Sequence, residues 1–132
     1  MKIIVPTVGT LPGQRTVGYV INIAKKLNAK LLVLRILMEN ETEDAGRQNM
    51  SPFIENSKDE KIQVIVILRR GKIVPAIIEV AEEYFVDLII LGASHGELVA
   101  EWMNAKAMEK TDIPVLLIPK WVSNVGKPSP NC

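Results

Sequence analysis

The chain alternates between short, almost wholly apolar runs and longer amphipathic segments. The apolar runs are rich in branched aliphatic residues, which is typical of parallel strands that are buried on both faces. They lie at Lys2–Pro6, Leu31–Leu37, Ile62–Leu68, Asp87–Gly92 and Val115–Ile118. The pattern therefore predicts five strands.

Apolar residues at helical spacing fill several of the segments between these runs. The first set is Val17, Val20, Ile21, Ala24 and Leu27, and the second is Val74, Ile77, Ile78, Ala81, Tyr84 and Phe85. Lys25 and Lys26 suit the negative end of the first helix, and Pro75 falls in the first turn of the second, where its missing N–H costs no hydrogen bond. A further helical pattern follows the glycine-bounded turn after Gly92.

The segment Met38–Glu60 differs from its surroundings because it is polar, acidic and poorly periodic. It predicts a loop with at most a short helix. Elsewhere strands alternate with helices, and this order is typical of right-handed βαβ units. The predicted fold class is therefore α/β, with a parallel sheet that carries helices on both faces.

Length and composition narrow the possible functions. A chain of 132 residues with 48% hydrophobic and 23% charged residues is typical of one soluble globular domain. The formal net charge of +1 provides no field to attract nucleic acid or an anionic membrane. The N-terminus lacks a signal-peptide pattern, and one histidine with one cysteine, Cys132, argues against a transition-metal site. We therefore expect a cytoplasmic protein with no nucleic-acid, membrane or metal partner.

Three stretches in this order match a known pattern. They are KIIVPTVGT with the following helix and strand, RRGKIVPAIIEVAEEYFVDLIILGASHG, and TDIPVLLIPK. Together they resemble the universal stress protein family, single-domain type. The resemblance implies a Rossmann-like open five-stranded parallel sheet of the adenine-nucleotide-alpha-hydrolase-like kind over residues 1–120. Residues 121–132, rich in proline, serine and asparagine, are predicted to form a loose tail.

The resemblance also implies a nucleotide site, and the chain departs from it. ATP-binding members carry the signature G-2x-G-9x-G-(S/T) and an aspartate at the end of the first strand. Here Ala93 stands at the first glycine, one residue after Gly92, and Gly96 keeps the second. The third glycine and the hydroxyl residue fall around Asn104–Lys106, where neither is present, and Val8 replaces the aspartate. A degraded ATP signature is therefore predicted, with ATP or AMP left open as a ligand.

Several residues remain candidates for binding an anion at the carboxyl edge of the sheet, where open α/β sheets bind ligands. Asn104 is predicted to cap the last helix and free its first N–H groups, and Lys106 to supply a charge. Arg69 and Arg70 end the third strand. The complete set is Thr7, Val8, Gly9, Thr10, Arg69, Arg70, Gly92, Ser94, His95, Gly96, Asn104 and Lys106.

The last strand is the candidate surface for self-association. Val115, Leu116, Leu117 and Ile118 form an apolar edge between two prolines, and an open sheet edge must be covered or paired. The resemblance implies a homodimer through this strand. The alternative is that Trp121 and the tail cover the same edge within one chain.

Three functions remain in competition. The first is a homodimeric stress-response protein that acts by binding and regulation without the usual ATP site. The second is a sensor of a nucleotide or another anionic metabolite. The third is an enzyme, which no residue set supports: His95, the sole histidine, has no obvious acid or nucleophile partner beyond the adjacent Ser94.

Overall fold

Strands and helices alternate along the computed structural model, which describes residues 1–9, 13–92 and 96–118. The elements are β1 Lys2–Val8, α1 Gln14–Lys26, β2 Lys30–Leu37, α2 Glu43–Asn49, α3 Ser51–Lys58, β3 Val64–Arg70, α4 Ile73–Glu83, β4 Leu88–Gly92, α5 Gly96–Asn104, a 3-10 turn Ala107–Glu109, and β5 Val115–Ile118. Among these residues no helix is long and apolar enough to cross a bilayer. The predicted tail, 121–132, lies outside the described residues.

The strands form one five-stranded parallel sheet in the order β3-β2-β1-β4-β5. Lys2 pairs with Lys30, Ile3 with Leu88 and Ile89 with Val115, so β1 lies at the centre of the sheet. After β1 the chain adds β2 and β3 on one side of it, and then crosses to add β4 and β5 on the other side. The predicted α/β class with an open parallel sheet is confirmed.

The core has two layers because neighbouring residues of a strand point to opposite faces of the sheet. On one face, Ile4 and Leu34 pack with α4 and α5. On the other face, Ile3 and Val33 pack with α1 and with Phe53 of α3. The predicted helices on both faces are therefore present, and they explain why the strand segments contain so few polar residues.

The prediction for Met38–Glu60 was wrong, because this segment contains both α2 and α3. The hydroxyl of Thr42 accepts a hydrogen bond of 3.1 Å from the Ala45 N–H and caps α2. Pro52 lies at the start of α3. Each helix is short and buries few side chains, chiefly Met50 and Phe53 at the junction and within α3. Such helices show no long apolar period, so capping residues were the signal available in the sequence.

The prediction that Phe85 lies on the apolar side of a helix was also wrong. Helix α4 ends at Glu83, and Phe85 is 81% exposed with φ of 54°. The Phe85 N–H donates to the Glu82 carbonyl, and the Val86 N–H donates to the Ala81 carbonyl. This is the Schellman pattern, which needs a left-handed residue at the position of Phe85. Asn28 and Lys61 occupy the same position after α1 and α3.

We expect Phe85→Gly to stabilise the protein by about 0.5–1 kcal/mol. The left-handed backbone is strained for any residue with a Cβ, and the exposed ring offers little packing in return. Urea denaturation measures the change, and Phe85→Ala is the matched control because it removes the ring but keeps the Cβ. Equal stability of the two variants would show that backbone strain at this position is not the cause.

Candidate functional site

The carboxyl edge of the sheet is the expected ligand position. Strand order reverses beside β1, and open α/β sheets bind ligands in the crevice at such a reversal, here between β1 and β4. Val8 ends β1 and is half-buried against the core on the α4 and α5 side. Gly9 follows with φ of 70°, a backbone conformation that glycine adopts without strain. Gly92 ends β4, and α5 begins at Gly96. Thr10, Ser94 and His95 lie outside the described residues.

Thr7 and Val8 are both predicted to belong to the anion-binding site, but their side chains lie on opposite faces of the sheet. The Thr7 side chain is buried on the α1 side, where its hydroxyl lies 3.5 Å from the sulfur of Met50. Only Val8 faces the α4 and α5 side. The two residues therefore cannot line one surface of the crevice with their side chains.

Arg35 is a buried charge that the sequence-based candidates omitted. It lies in β2 and is only 2% exposed. Its Nε lies 3.0 Å from Glu41 Oε2, its Nη2 donates to the Gly9 carbonyl oxygen at 2.5 Å, and its Nη1 lies 3.4 Å from the Thr7 hydroxyl. The available signal was a single arginine inside the apolar run LLVLRIL, because a charge in such a strand needs a buried partner.

Glu41 is the partner of Arg35 and also organises the loop after β2. Its carboxylate accepts hydrogen bonds from the Met38 N–H at 3.1 Å and from Asn49 Nδ2 at 3.2 Å. Burial raises the pKa of Glu41, but the Met38 N–H, the Arg35 guanidinium and the Asn49 amide together hold the pKa below its ordinary value. Glu41 therefore stays ionised, and the Arg35–Glu41 pair ties the turn after β1 to the loop after β2.

Arg69 and Arg70 do not join the crevice between β1 and β4. They lie in β3, the outer strand, with β2 between them and β1. Arg69 forms a 3.0 Å ion pair with Glu83. Arg70 donates to the carbonyl oxygens of Met38 at 3.0 Å and Glu41 at 2.6 Å. Arg70 therefore adds to the bracing of the loop after β2, and the expected grouping of both arginines with Gly92 and Gly96 is not what the structure shows.

The prediction that Asn104 caps the start of the last helix was wrong, because Asn104 is the final residue of α5. Helix α5 already begins at Gly96, and the segment after it is only the 3-10 turn Ala107–Glu109. Lys106 precedes this turn with φ of 53° and is exposed. Neither residue therefore lies at the start of an α-helix, where free N–H groups would bind an anion.

The β5 edge carries the most exposed apolar surface of the candidate residues. Leu116 and Leu117 are 39% and 52% exposed, whereas Ile118 is buried within the single chain and Val115 is half-buried. Beside Val115 and Leu117 lies a cavity of about 400 Å³ that we call the α5 groove. Its apolar lining consists mainly of Trp102, Met103, Met108, Ile113, Val115 and Leu117. Within the described part of the chain, β5 has a strand neighbour on one side only.

The fold is that of an open parallel α/β sheet whose strand order reverses beside its central strand, with glycine after β1 and at the end of β4. The match to a family model is more specific and covers residues 1–119. The chain belongs to the universal stress protein family. The resemblance predicted from the sequence motifs is confirmed. No curated protein sequence matches the chain significantly.

Solved structures of universal stress proteins share this fold. One, in complex with cAMP, has a TM-score of 0.69 and 20% identity, over 89% of this chain and 95% of that chain. One from Archaeoglobus fulgidus, in complex with dAMP, has a TM-score of 0.65 and 16% identity, over 89% and 97%. One from Arabidopsis thaliana, with AMP bound, has a TM-score of 0.67 and 13% identity, over 96% and 97%. The predicted Rossmann-like open five-stranded parallel sheet is confirmed.

Proposed function

We propose that this protein acts in the cytoplasm in the stress response, by binding and not by catalysis, as a homodimer joined through β5. The observation that carries the proposal is the apolar surface formed by β5 and the α5 groove. Surfaces of this kind mark interaction sites when they are contiguous and exposed to water.

An edge strand supports self-association in two ways. Its outward N–H and C=O groups are free to pair with another strand, and its exposed leucines gain free energy when they leave water. A two-fold axis perpendicular to the sheet makes the paired strands antiparallel, and each face of the sheet continues into the same face of the second copy. Leu117 and the α5 groove of one copy then meet those of the other copy on one face of the sheet. Leu116 lies on the other face, where it meets the corresponding region of the second copy.

The oligomeric state tests this proposal directly. We expect sedimentation equilibrium of the full chain at micromolar concentration to give twice the monomer mass of 14.6 kDa. A constant monomer mass up to high micromolar concentration would contradict the dimer.

A second candidate function is nucleotide binding in the crevice between β1 and β4. It is supported by the positive φ of Gly9, by the start of α5 soon after β4, and by the relatives that were solved with cAMP, dAMP and AMP. A backbone turn and a helix start that face one crevice suit a phosphate. The Val8 side chain, however, offers no hydrogen bond at the position where the resemblance places the aspartate of ATP-binding members.

We expect calorimetric titration with ATP and magnesium, and with AMP, to show dissociation constants weaker than about 0.1 mM. A missing charged hydrogen-bond partner costs roughly 1.5–3 kcal/mol, or about 10- to 150-fold in affinity. Val8→Asp should tighten binding, whereas Val8→Thr, which has nearly the same shape but no carboxylate, should not. Micromolar binding by the unmodified chain would make nucleotide sensing the principal function.

A further inference from the structure

Two of the five methionines of the chain lie in the α5 groove. Met103 and Met108 are 62% and 74% exposed, and they line the groove with Trp102 and Leu117. Met50, by comparison, is fully buried between the sheet and α3. The thioethers of Met103 and Met108 are therefore open to solutes in the free subunit, in the part of the surface that the proposed dimer covers.

Oxidation would reverse the polarity of this groove. Hydrogen peroxide transfers one oxygen atom to a thioether sulfur: the O–O bond breaks, a sulfur–oxygen bond forms, and water leaves. The sulfur loses two electrons and the peroxide gains them. The product, methionine sulfoxide, is polar and disrupts methionine-rich interfaces. Burial of a polar group that lacks a hydrogen-bond partner is unfavourable.

The two-fold symmetry of the proposed dimer doubles the number of sulfoxides that oxidation places in the contact. Met103 and Met108 line the α5 groove of the single chain. In the proposed dimer each sheet face continues into the same face of the second copy, so the two grooves would meet on the α5 side. Each oxidised copy thus brings two sulfoxides into one apolar contact. Oxidation of the free subunit removes it from the association equilibrium, so mass action dissociates the dimer even where the dimer itself protects the sulfurs.

We propose that Met103 and Met108 form a peroxide-sensitive modification site, and that their oxidation to sulfoxides dissociates the dimer. This inference rests on the proposed self-association through β5. It adds a chemical signal, an oxidant of the peroxide class, to a surface that otherwise only holds two copies together.

The test uses the full chain with Cys132→Ser, so that thiol oxidation cannot contribute. Sedimentation equilibrium is measured before and after treatment with hydrogen peroxide, and peptide mass spectrometry locates the added oxygen. We expect sulfoxides at Met103 and Met108 and a dimer dissociation constant at least about tenfold higher. Treatment with methionine sulfoxide reductases of both stereochemical types should restore the dimer.

Matched variants separate this site from other oxidised residues. The double variant Met103→Leu and Met108→Leu keeps the apolar volume but cannot be oxidised, so its dimer should resist peroxide. Met38→Leu is the control, because Met38 is 53% exposed but follows β2, away from the groove. It should respond as the parent does.

Each other result has a distinct meaning. A chain that is monomeric before peroxide overturns the proposed dimer and this inference with it. A dimer that persists with sulfoxides at Met103 and Met108 overturns the inference and leaves the dimer standing. Dissociation of the Met103→Leu and Met108→Leu variant, or failure of these two sulfurs to oxidise while Met38 does, also overturns it.

Discussion

Leu117→Lys is expected to convert the proposed dimer into a monomer at micromolar concentration, with the dissociation constant raised at least about a hundredfold. Leu117 is 52% exposed in the single chain, and it lies on β5 beside the α5 groove. In the proposed pairing, its side chain leaves water at the centre of the contact. A lysine there places a charge in an apolar contact opposite an identical charge from the second copy, and both effects oppose association.

Sedimentation equilibrium of the variant, over a concentration series, measures this effect. The matched control is Leu27→Lys, since Leu27 is 44% exposed but lies at the end of α1, before β2 and away from β5. The control should keep the dimer, and a lysine at a helix end is electrostatically favourable. If Leu117→Lys remains dimeric while circular dichroism shows a folded protein, the dimer does not form through β5.

Arg35→Met is expected to lower the free energy of unfolding by about 3–5 kcal/mol, the usual cost of removing one member of a buried ion pair. The substitution leaves the carboxylate of Glu41, which is only 10% exposed, without its charged partner. It also leaves the Gly9 carbonyl without the guanidinium that donates to it. The turn after β1 and the loop after β2 then lose the side chain that joins them.

Urea denaturation of Arg35→Met, Glu41→Gln and the double variant separates the contribution of the ion pair to stability from that of each residue. Arg35→Met with Glu41→Gln should cost clearly less than the sum of the single changes, because no buried charge is left unpaired. Arg69→Met is the matched control: its ion pair with Glu83 is exposed, at 36% and 51%, and should contribute less than about 1 kcal/mol. Equal losses for Arg35→Met and Arg69→Met would show that burial of Arg35 does not matter.

The same pair predicts a pH dependence. The pKa of Glu41 is lower in the folded protein than its ordinary value of 4.5. The ionised carboxylate therefore stabilises the fold above pH 4.5, and this contribution is lost as pH falls through the folded pKa. Stability measured at pH 7 and below pH 4 should fall less for Glu41→Gln than for the parent. An identical fall in both would mean that Glu41 does not titrate differently on folding.

The strands were predictable because their signal is local. A strand buried on both faces is apolar along its whole length, so the runs at β1, β2 and β4 could be recognised without knowing their neighbours. Helices α2 and α3 were not, since each is short and its burial depends on what the sheet presents to it. The Schellman motifs that end α1, α3 and α4 could not be predicted either. Asparagine, lysine and phenylalanine occupy the left-handed position where glycine is the usual signal.

The candidate site was predictable only in part. The motifs located the ends of β1 and β4 at one edge, and the family assignment follows from the same motifs. The partners of the charged side chains could not be inferred, because Arg35 and Glu41 meet across a turn and Arg70 reaches the same loop from another strand. The position of Asn104 depended on where α5 begins, and the glycine turn before it left that register open.

The sequence by itself determined the α/β class, the five strands and the family, because apolar periodicity and ordered motifs are properties of the chain. It also determined that residue 8, a valine, carries no carboxylate, since no fold can supply a group that the residue lacks. Only the tertiary structure decided that Arg35 is buried against Glu41, that Arg69 and Arg70 are engaged elsewhere, and that two methionines share a groove beside β5. Those facts depend on strand order and face, which bring together residues that are distant in the sequence.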